Sequence, residues 1–364
     1  MLLEVEGLTV SFPTPDGVVE AVRGIDFSVD RGRTLGIVGE SGSGKSVATQ
    51  TILGLTRGAQ VAGTALFEGR DLLTMTTAEL RAVRGAKIGT IFQDPLSSLH
   101  PYYRIGWQIA EAIRAHEKIS RSDAHRRAVE LLGLVGIPQP DKRVDDYPHQ
   151  FSGGMRQRAM IAIALALHPA LLIADEPTTA LDVTVQAQII ELIKHLQGEF
   201  GTAVIMITHD LGVIADMAHD VMIMYAGKAM EQADRRSIYY QPHHPYTSGL
   251  LASLPQSGKE GQRLSPIAGQ PPSLINPPGG CPFHPRCSFV MPKCRTEPPP
   301  FVRVGGTSVH RSACWLPSDL TGTSSEVDAK RHRASEAAGG SVAVGVPGTS
   351  DLGSGDVSSS SPSW

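Results

Sequence analysis

The stretch G-E-S-G-S-G-K-S at residues 39–46 decides the fold of this chain, because it matches the phosphate-binding pattern G-x-x-x-x-G-K-S. An apolar run of strand length precedes it at residues 34–38, and the proline-free residues 46–55 are predicted to form a helix. Glycines in such a loop let successive backbone N–H groups point at phosphate oxygens, and the helix that follows adds the positive end of its dipole. The stretch therefore predicts a site for a nucleoside triphosphate.

Two side chains of this loop have predicted roles of their own. Lys45 is predicted to reach the β- and γ-phosphates, and the Ser46 hydroxyl to bind Mg²⁺. The other predicted phosphate-binding positions of the loop are Gly39, Ser41, Gly42, Ser43 and Gly44. The alternative is a glycine- and serine-rich turn without a ligand, and the flanking strand and helix favour the phosphate site.

The composition of the chain disfavours several classes of protein. The chain has 364 residues and a formal net charge of −3, whereas a dedicated nucleic-acid-binding protein normally carries a basic excess, so no nucleic acid is expected as a partner. There is no run of about eighteen apolar residues, and residues 1–4 lack the basic start of a secretory signal. We therefore expect a cytosolic chain that reaches a membrane only through its partners.

Acidic residues follow a later apolar run, L-L-I-A-D-E at residues 171–176. A central parallel strand of this kind places the carboxylate of Asp175 where Mg²⁺ is held beside the phosphate loop. Glu176 comes one residue later and is predicted to polarise the attacking water. A surface acidic turn is the alternative, and it is disfavoured beside a phosphate loop.

Two further polar side chains follow predicted strands. Gln93 ends a strand predicted over residues 86–92, and His209 follows one predicted over residues 203–208. Ligands of open α/β sheets bind at the carboxyl ends of the strands, so both side chains are expected at the edge that holds the phosphate loop.

A second anion-binding segment lies at residues 152–157, S-G-G-M-R-Q, before an apolar helix predicted over residues 159–167. Ser152 is a predicted helix N-cap, and the two glycines that follow free the backbone to bind phosphate. A single nucleotide cannot easily need both segments. We therefore expect this one to bind a nucleotide held by another subunit.

The residues before the phosphate loop alternate apolar and polar side chains in two runs, 5–12 and 18–29, with a turn predicted at 13–17. This pattern predicts an antiparallel β layer. Phe12 ends the first run, where an exposed aromatic ring could stack on adenine. An ordinary half-buried strand phenylalanine is the alternative, and the sequence alone favours it.

Together these motifs resemble those of ABC transporter ATP-binding subunits over residues 2–233. The resemblance implies an α/β fold of the P-loop NTPase class, with a mixed core sheet, an antiparallel β layer and a helical subdomain at about residues 104–168. It implies that two subunits pack head to tail around ATP. The implied catalytic residues are Glu176, His209 and Gln93, and the implied Mg²⁺ ligands are Ser46, Gln93 and Asp175. The implied nucleotide-binding residues are Phe12, Ser152, Gly153, Gly154, Gln157 and Asp182. Asp182 belongs to a D-loop at residues 180–182.

Four cysteines, Cys281, Cys287, Cys294 and Cys314, lie close together near the end of the chain. Their spacing fits neither the usual zinc pairs nor ferredoxin runs, so an iron–sulfur cluster, zinc, and free or oxidised thiols all stay open. The spacing resembles the C-terminal region of dipeptide-importer ATPases that carry a [4Fe–4S] cluster, which implies such a cluster here. Residues 317–364 are rich in serine and glycine and are predicted to be disordered.

The segments at residues 94–99 and 241–247 resemble the oligopeptide, dipeptide and nickel importers of the same family. The resemblance implies an ATPase motor for di- or oligopeptide import at the cytoplasmic face of the membrane. The implied partners are a second ATPase subunit, usually a different one, two transmembrane permease subunits and an extracytoplasmic substrate-binding protein. The alternatives are an importer of nickel or another small solute, and a soluble ABC ATPase that acts on nucleic acid or ribosomes. The expected units are an ATPase domain at residues 1–253, a cysteine-containing region at 254–316 and the tail at 317–364.

Overall fold

The computed structural model describes residues 1–179, 181–254, 267–304 and 310–316. Four antiparallel strands form a first sheet: β1 (Leu3–Thr14), β2 (Gly17–Val29), β4 (Gln60–Phe67) and β5 (Arg70–Asp71). Their order is β2-β1-β4-β5, which confirms the predicted antiparallel layer. The predicted turn at 13–17 was too long, because the strands stay paired as far as Thr14 and Gly17, where the Thr14 hydroxyl donates to the Gly17 carbonyl at 2.6 Å.

Eight strands form the second sheet, which carries the phosphate loop. They are β3 (Thr34–Val38), β6 (Ile88–Ile91), β7 (Leu171–Asp175), β8 (Ala203–Thr208), β9 (Asp220–Tyr225), β10 (Lys228–Asp234), β11 (Val302–Arg303) and β12 (Arg311–Ser312). The order is β11-β12-β10-β9-β3-β8-β7-β6. Strands β9, β3, β8, β7 and β6 run parallel, and β10, β12 and β11 are added antiparallel. The sheet is therefore mixed, as the resemblance implied.

The helices cover the sheet and build the segment between β6 and β7. They are α1 (Lys45–Ile52), α2 (Thr77–Val83), α3 (Pro95–Ser98), α4 (Ile105–Arg114), α5 (Arg121–Leu134), α6 (Pro140–Arg143), α7 (Gly153–Leu165), α8 (Val183–Phe200), α9 (Leu211–Met217), α10 (Arg235–Tyr240), α11 (Pro245–Ala252) and α12 (Pro292–Thr296). Helix α7 begins six residues before the predicted start at 159, because the Ser152 side chain caps it. Helix α1 ends before the predicted 55, where Gly54 has a φ of 62°.

The two faces of the second sheet pack into two apolar clusters. Along β8, Ala203, Ile205 and Ile207 belong to one cluster, and Val204 and Met206 belong to the other. Successive side chains of a strand point to opposite faces, so this alternation shows that both faces are covered. Burial on both faces explains why the central strands read as continuous apolar runs.

The region with the cysteines packs on the main body of the protein. Cys281, Phe283 and Cys294 belong to one of the two apolar clusters, and β12 pairs with β10. Ala180 of the predicted D-loop and the tail predicted to be disordered, residues 317–364, lie outside the described residues. In the part of the chain that the structure describes, no helix is both long and apolar enough to cross a bilayer.

Candidate functional site: a nucleotide-binding edge of the sheet

The phosphate loop leaves the carboxyl end of β3 and leads directly into α1. A Cβ atom on Gly39 would lie 2.2 Å from the Met224 carbonyl oxygen, and one on Gly44 would lie 2.3 Å from the Ala21 carbonyl oxygen. Gly44 also has a φ of 96°, a conformation that only glycine adopts at little cost. The loop therefore requires glycine at both positions to bring its backbone N–H groups to one side.

Lys45 lies buried inside this loop, with only 5% of its surface exposed. Its ammonium donates to the carbonyl oxygens of Gly39 at 2.8 Å and Glu40 at 2.9 Å. Burial lowers the pKa of Lys45, while the nearby carboxylates of Glu176, Asp175 and Glu40 oppose this shift. A desolvated cation in this position attracts phosphate strongly.

Ser43 supplies a second indication that the loop fits an anion. Its hydroxyl oxygen is buried and makes no hydrogen bond to the described residues. A buried polar atom without a partner is costly in a native protein, and a phosphate oxygen would satisfy it. Ser41 and Gly42, in contrast, are exposed at the rim of the loop.

Ser46 and Asp175, two of the three predicted Mg²⁺ ligands, lie in direct contact. The Ser46 hydroxyl donates to Oδ1 of Asp175 at 2.7 Å, which joins the first turn of α1 to the end of β7. Burial raises the pKa of Asp175, and the hydrogen bond from Ser46 partly offsets that rise. A hydroxyl and a carboxylate are the oxygen ligands that Mg²⁺ prefers, so the residues present fit this ion.

Glu176 brings the other predicted catalytic side chains together. Its Oε2 accepts from the Gln93 amide at 3.0 Å and from the Thr179 hydroxyl at 2.8 Å, and its Oε1 lies 3.4 Å from Nδ1 of His209. Glu176 has a φ of 46°, a conformation that side chains other than glycine rarely adopt. The Glu176 carboxylate is close enough to Asp175 to help raise the pKa of that residue. Thr179 was missed by the sequence analysis, and only its position three residues after Glu176 could have indicated it.

The segment at residues 152–157 forms the N-terminus of α7, as predicted. The Ser152 hydroxyl accepts from the backbone N–H of Met155 at 3.3 Å, and Ser152 and Gly153 are exposed. Gly154 is packed against Val185, whose Cγ1 atom would be 2.9 Å from an added Cβ. Gln157 is 2% exposed, so in this chain its amide is not presented at the surface.

Two other predicted nucleotide-binding residues have clear structural roles. Asp182 is the N-cap of α8, and its Oδ1 accepts from the backbone N–H of Val185 at 3.0 Å. Phe12 lies in β1, half-buried against the apolar cluster beneath the first sheet. The position of Phe12 fits the structural alternative as well as the nucleotide-binding role.

The four cysteines lie around one cavity at the end of the described chain, which His244 and Trp315 also line. Burial raises the pKa of the Cys281 thiol to about 11 and that of the Cys314 thiol to about 12. Backbone N–H groups of Phe289 and Leu316 donate to the sulfurs of Cys287 and Cys314 at 3.4 Å. Over residues 1–179, 181–254, 267–304 and 310–316, no group of three or more His, Cys, Asp or Glu residues is arranged to hold a metal ion.

Comparison with known proteins agrees with this geometry. Residues 22–179 match the ABC transporter family, and residues 230–294 match the family described as the C-terminal region of oligopeptide/dipeptide transporters. The oligopeptide transport ATP-binding protein OppD of Bacillus subtilis is 53% identical over 319 residues, which are 86% of this chain and 88% of that protein. This chain belongs to the oligopeptide/dipeptide family of ABC transporter ATP-binding subunits. It is an ATPase of the ABC type.

A second relative and a solved structure support the assignment of this chain to the ABC ATPases. The dipeptide transport ATP-binding protein DppD of Bacillus subtilis is 50% identical over 319 residues, covering 86% of this chain and 94% of that protein. Among solved structures, a dimeric ATP-binding cassette, MJ0796, bound to ADP and Pi is 27% identical with a TM-score of 0.58. It covers 64% of this chain and 99% of its own length. The predicted fold class is thereby confirmed.

Proposed function

We propose that this chain is the ATP-hydrolysing motor subunit of an importer of dipeptides or oligopeptides. The observation that carries the proposal is the convergence of Gln93, Thr179 and His209 on the carboxylate of Glu176, next to the hydrogen-bonded pair of Ser46 and Asp175. A carboxylate held at three points beside a phosphate loop suits a general base for water attack on a γ-phosphate. The names of the relatives support peptides as the transported class.

Each side chain has a role in this proposal. Glu176 accepts the proton of the attacking water, and His209 and Gln93 hold that carboxylate in place and stabilise charge on the transferring group. Lys45 leaves its two carbonyl partners to bind phosphate oxygens. Ser46, Asp175 and Gln93 would hold Mg²⁺, which neutralises charge on the β- and γ-phosphates when it is bound.

The working unit in this proposal is a dimer. Ser152 and Gly153 are exposed at a helix N-terminus, where backbone N–H groups attract a phosphate held by a second subunit. Phe12 would stack on adenine, and Gly154, Gln157 and Asp182 would take part in nucleotide binding at the dimer interface. For Gln157, which is 2% exposed, this requires a change in the position of its side chain. The second subunit is proposed to be a related but different ATPase.

The remaining partners are two transmembrane permease subunits and an extracytoplasmic substrate-binding protein, with this chain held peripherally at the cytoplasmic face. The proposed units are the ATPase domain at residues 1–253, with its helical subdomain at about 104–168, and the C-terminal region at 254–316. The family match at residues 230–294 supports a functional C-terminal region.

The test is transport by the intact complex reconstituted in lipid vesicles. We expect ATP-dependent uptake of a dipeptide or an oligopeptide, and loss of uptake and of ATP binding in Lys45→Ala, because that variant lacks the buried cation of the phosphate loop. Uptake of nickel without uptake of peptide would show that nickel, and not a peptide, is the transported solute. Co-purification with ribosomes in place of permease subunits, or unchanged ATP affinity in Lys45→Ala, would contradict it.

We further propose that Cys281, Cys287, Cys294 and Cys314 bind a [4Fe–4S] cluster. Four thiols around one cavity, with backbone N–H donors to two of the sulfurs, form a donor set of the right chemistry. Among the described residues these thiols are not arranged to hold a metal ion, so cluster binding would require them to rearrange. Burial keeps Cys281 and Cys314 protonated, so cluster binding would release protons as the thiolates form.

Anaerobic purification followed by iron and sulfide analysis tests this second proposal. We expect about four irons per chain and their loss when Cys281 and Cys294 are replaced by serine. Zinc in place of iron, or four thiols without metal, would contradict it. If the cluster is present, ATPase rates that differ between its oxidised and reduced states would indicate a redox sensor, and equal rates a structural cluster.

A further inference from the structure

Glu40, the second residue of the phosphate loop, is held at three points. Its carbonyl oxygen accepts from the Lys45 ammonium at 2.9 Å, and its backbone N–H donates to the Tyr246 hydroxyl at 3.0 Å. Its carboxylate accepts two hydrogen bonds from the Arg286 guanidinium, at 2.5 Å and 3.0 Å. The side chains that hold Glu40 from outside the loop therefore come from positions more than 200 residues later in the chain.

Arg286 is built into the structure around this contact. Its side chain is 5% exposed, and it also donates to the Tyr225 hydroxyl at 3.2 Å and to the Ala268 carbonyl at 2.9 Å. A second carbonyl partner is that of Ile267, at 3.3 Å. A bidentate pair between Arg and a carboxylate is a strong and geometrically specific contact, especially away from water.

The residues around Arg286 form a rigid aromatic support. The rings of Tyr225 and Tyr246 lie 4.7 Å apart between centroids, and Phe283 lies 5.3 Å from the first and 5.2 Å from the second. Tyr225 and Tyr246 are almost completely buried. The support lies beside the cysteine cavity, because Phe283 and Arg286 belong to the segment between Cys281 and Cys287.

Glu40 presents an electrostatic problem in a site for ATP. A carboxylate within a phosphate loop repels the polyphosphate that the loop must bind, and it also attracts the ammonium of Lys45. The guanidinium of Arg286 neutralises this carboxylate and turns it outward, towards the C-terminal region. Lys45 is then available to the nucleotide.

We infer that Arg286 is a positioning residue for ATP binding: it neutralises Glu40 and fixes the start of the phosphate loop against the C-terminal region. The inference rests on the proposed function and extends it, because it makes the ATP site depend on the segment between Cys281 and Cys287. Any change that displaces this segment would expose the charge of Glu40 to the nucleotide and weaken ATP binding.

The test compares Arg286→Ala, Arg286→Lys, Glu40→Gln and the double variant Arg286→Ala/Glu40→Gln in the full chain. In Arg286→Ala we expect the KM for ATP to rise about tenfold, or about 1.4 kcal/mol, with a smaller change in kcat. Arg286→Lys keeps the charge and should show a smaller rise. The double variant should recover most of the lost affinity, because no unpaired carboxylate is left. The rise in Arg286→Ala should also shrink at high salt.

Arg33→Ala is the matched control, because it breaks a more exposed pair, with Asp220 at 2.8 Å, at the opposite end of β3 from Glu40. Its KM is expected to equal that of the wild type. If Arg286→Ala does not fold, Glu40→Gln still decides the matter: a lower KM supports the inference, and an unchanged or raised KM overturns it. A double variant no better than Arg286→Ala would also overturn it. A wild-type chain without ATPase activity would instead contradict the proposed function.

Discussion

Replacement of Glu176 by glutamine separates ATP hydrolysis from ATP binding. In the wild type, Gln93 and Thr179 both donate to Oε2 of Glu176, and His209 faces Oε1. In Glu176→Gln an amide oxygen in the place of Oε2 still accepts both donors, and the amide nitrogen lies opposite Nδ1 of His209. The substitution therefore keeps the shape of the site and removes the group that accepts a proton.

The expected loss follows from the role of a general base. Such a group contributes about 10²- to 10⁴-fold to a rate, so kcat should fall by that factor, which raises the barrier by about 3–5 kcal/mol. ATP affinity should not fall, because Lys45 and Ser46 are unchanged. ATP held without turnover should also keep the dimer closed.

Phosphate release measures kcat, a fluorescent ATP analogue measures affinity, and size-exclusion chromatography with Mg–ATP measures dimer formation. Glu191→Gln is the matched control, because Glu191 lies on the surface of α8 with 75% of its side chain exposed. Its kcat should equal that of the wild type. A kcat for Glu176→Gln within about threefold of the wild type would refute the assignment of a base, since less than 1 kcal/mol would then depend on it.

Two further predictions concern stability. Gly44→Ala should lower the free energy of unfolding by about 2 kcal/mol or more in urea titrations, because the added Cβ combines a positive φ with a 2.3 Å approach to the Ala21 carbonyl. The control is Gly198→Ala, where the added Cβ meets nothing within 4 Å and should instead stabilise α8. Equal effects of the two substitutions would contradict the argument. Burial lowers the pKa of His219, whose Nδ1 accepts from the Thr34 N–H. The contribution of His219 to the free energy of unfolding is therefore complete above the pKa of about 6.5 in the unfolded chain. It is lost as the pH falls through the lower pKa of the folded state. His219→Asn should therefore reduce the fall in melting temperature over that acidic range, and an unaltered pH profile would show that His219 does not contribute.

Much of the candidate site follows from the sequence because its residues lie next to strand ends. Asp175 and Glu176 end an apolar run, and Gln93 and His209 follow two others, so one rule about parallel sheets brings all four to the same edge. The contacts of Glu40 were not predicted. Arg286 lies 246 residues later, in a segment whose apolar pattern gives no sign of where it packs.

The fold was predicted best where helices and strands have strong boundary signals. Ser152 was predicted as a helix N-cap and caps α7, and the apolar run at residues 34–38 forms β3. The helix predicted from the apolar run at residues 159–167 begins earlier, at Gly153, because residues 153–158 carry little apolar pattern. The strands β11 and β12 have only two residues each, too few for any periodic pattern.

The pairing of β12 with β10 has a consequence for how the chain can be divided. Glu231 and Gln232 of β10 pair with Ser312 and Arg311, and the Ala313 N–H donates to the Met230 carbonyl at 2.8 Å. A chain shortened at residue 253 would leave this border of the sheet with bare backbone donors and acceptors. Unpaired sheet edges recruit strands from other molecules, so the shortened ATPase would tend to aggregate. Strand β12 therefore protects β10 from pairing with a strand of another molecule.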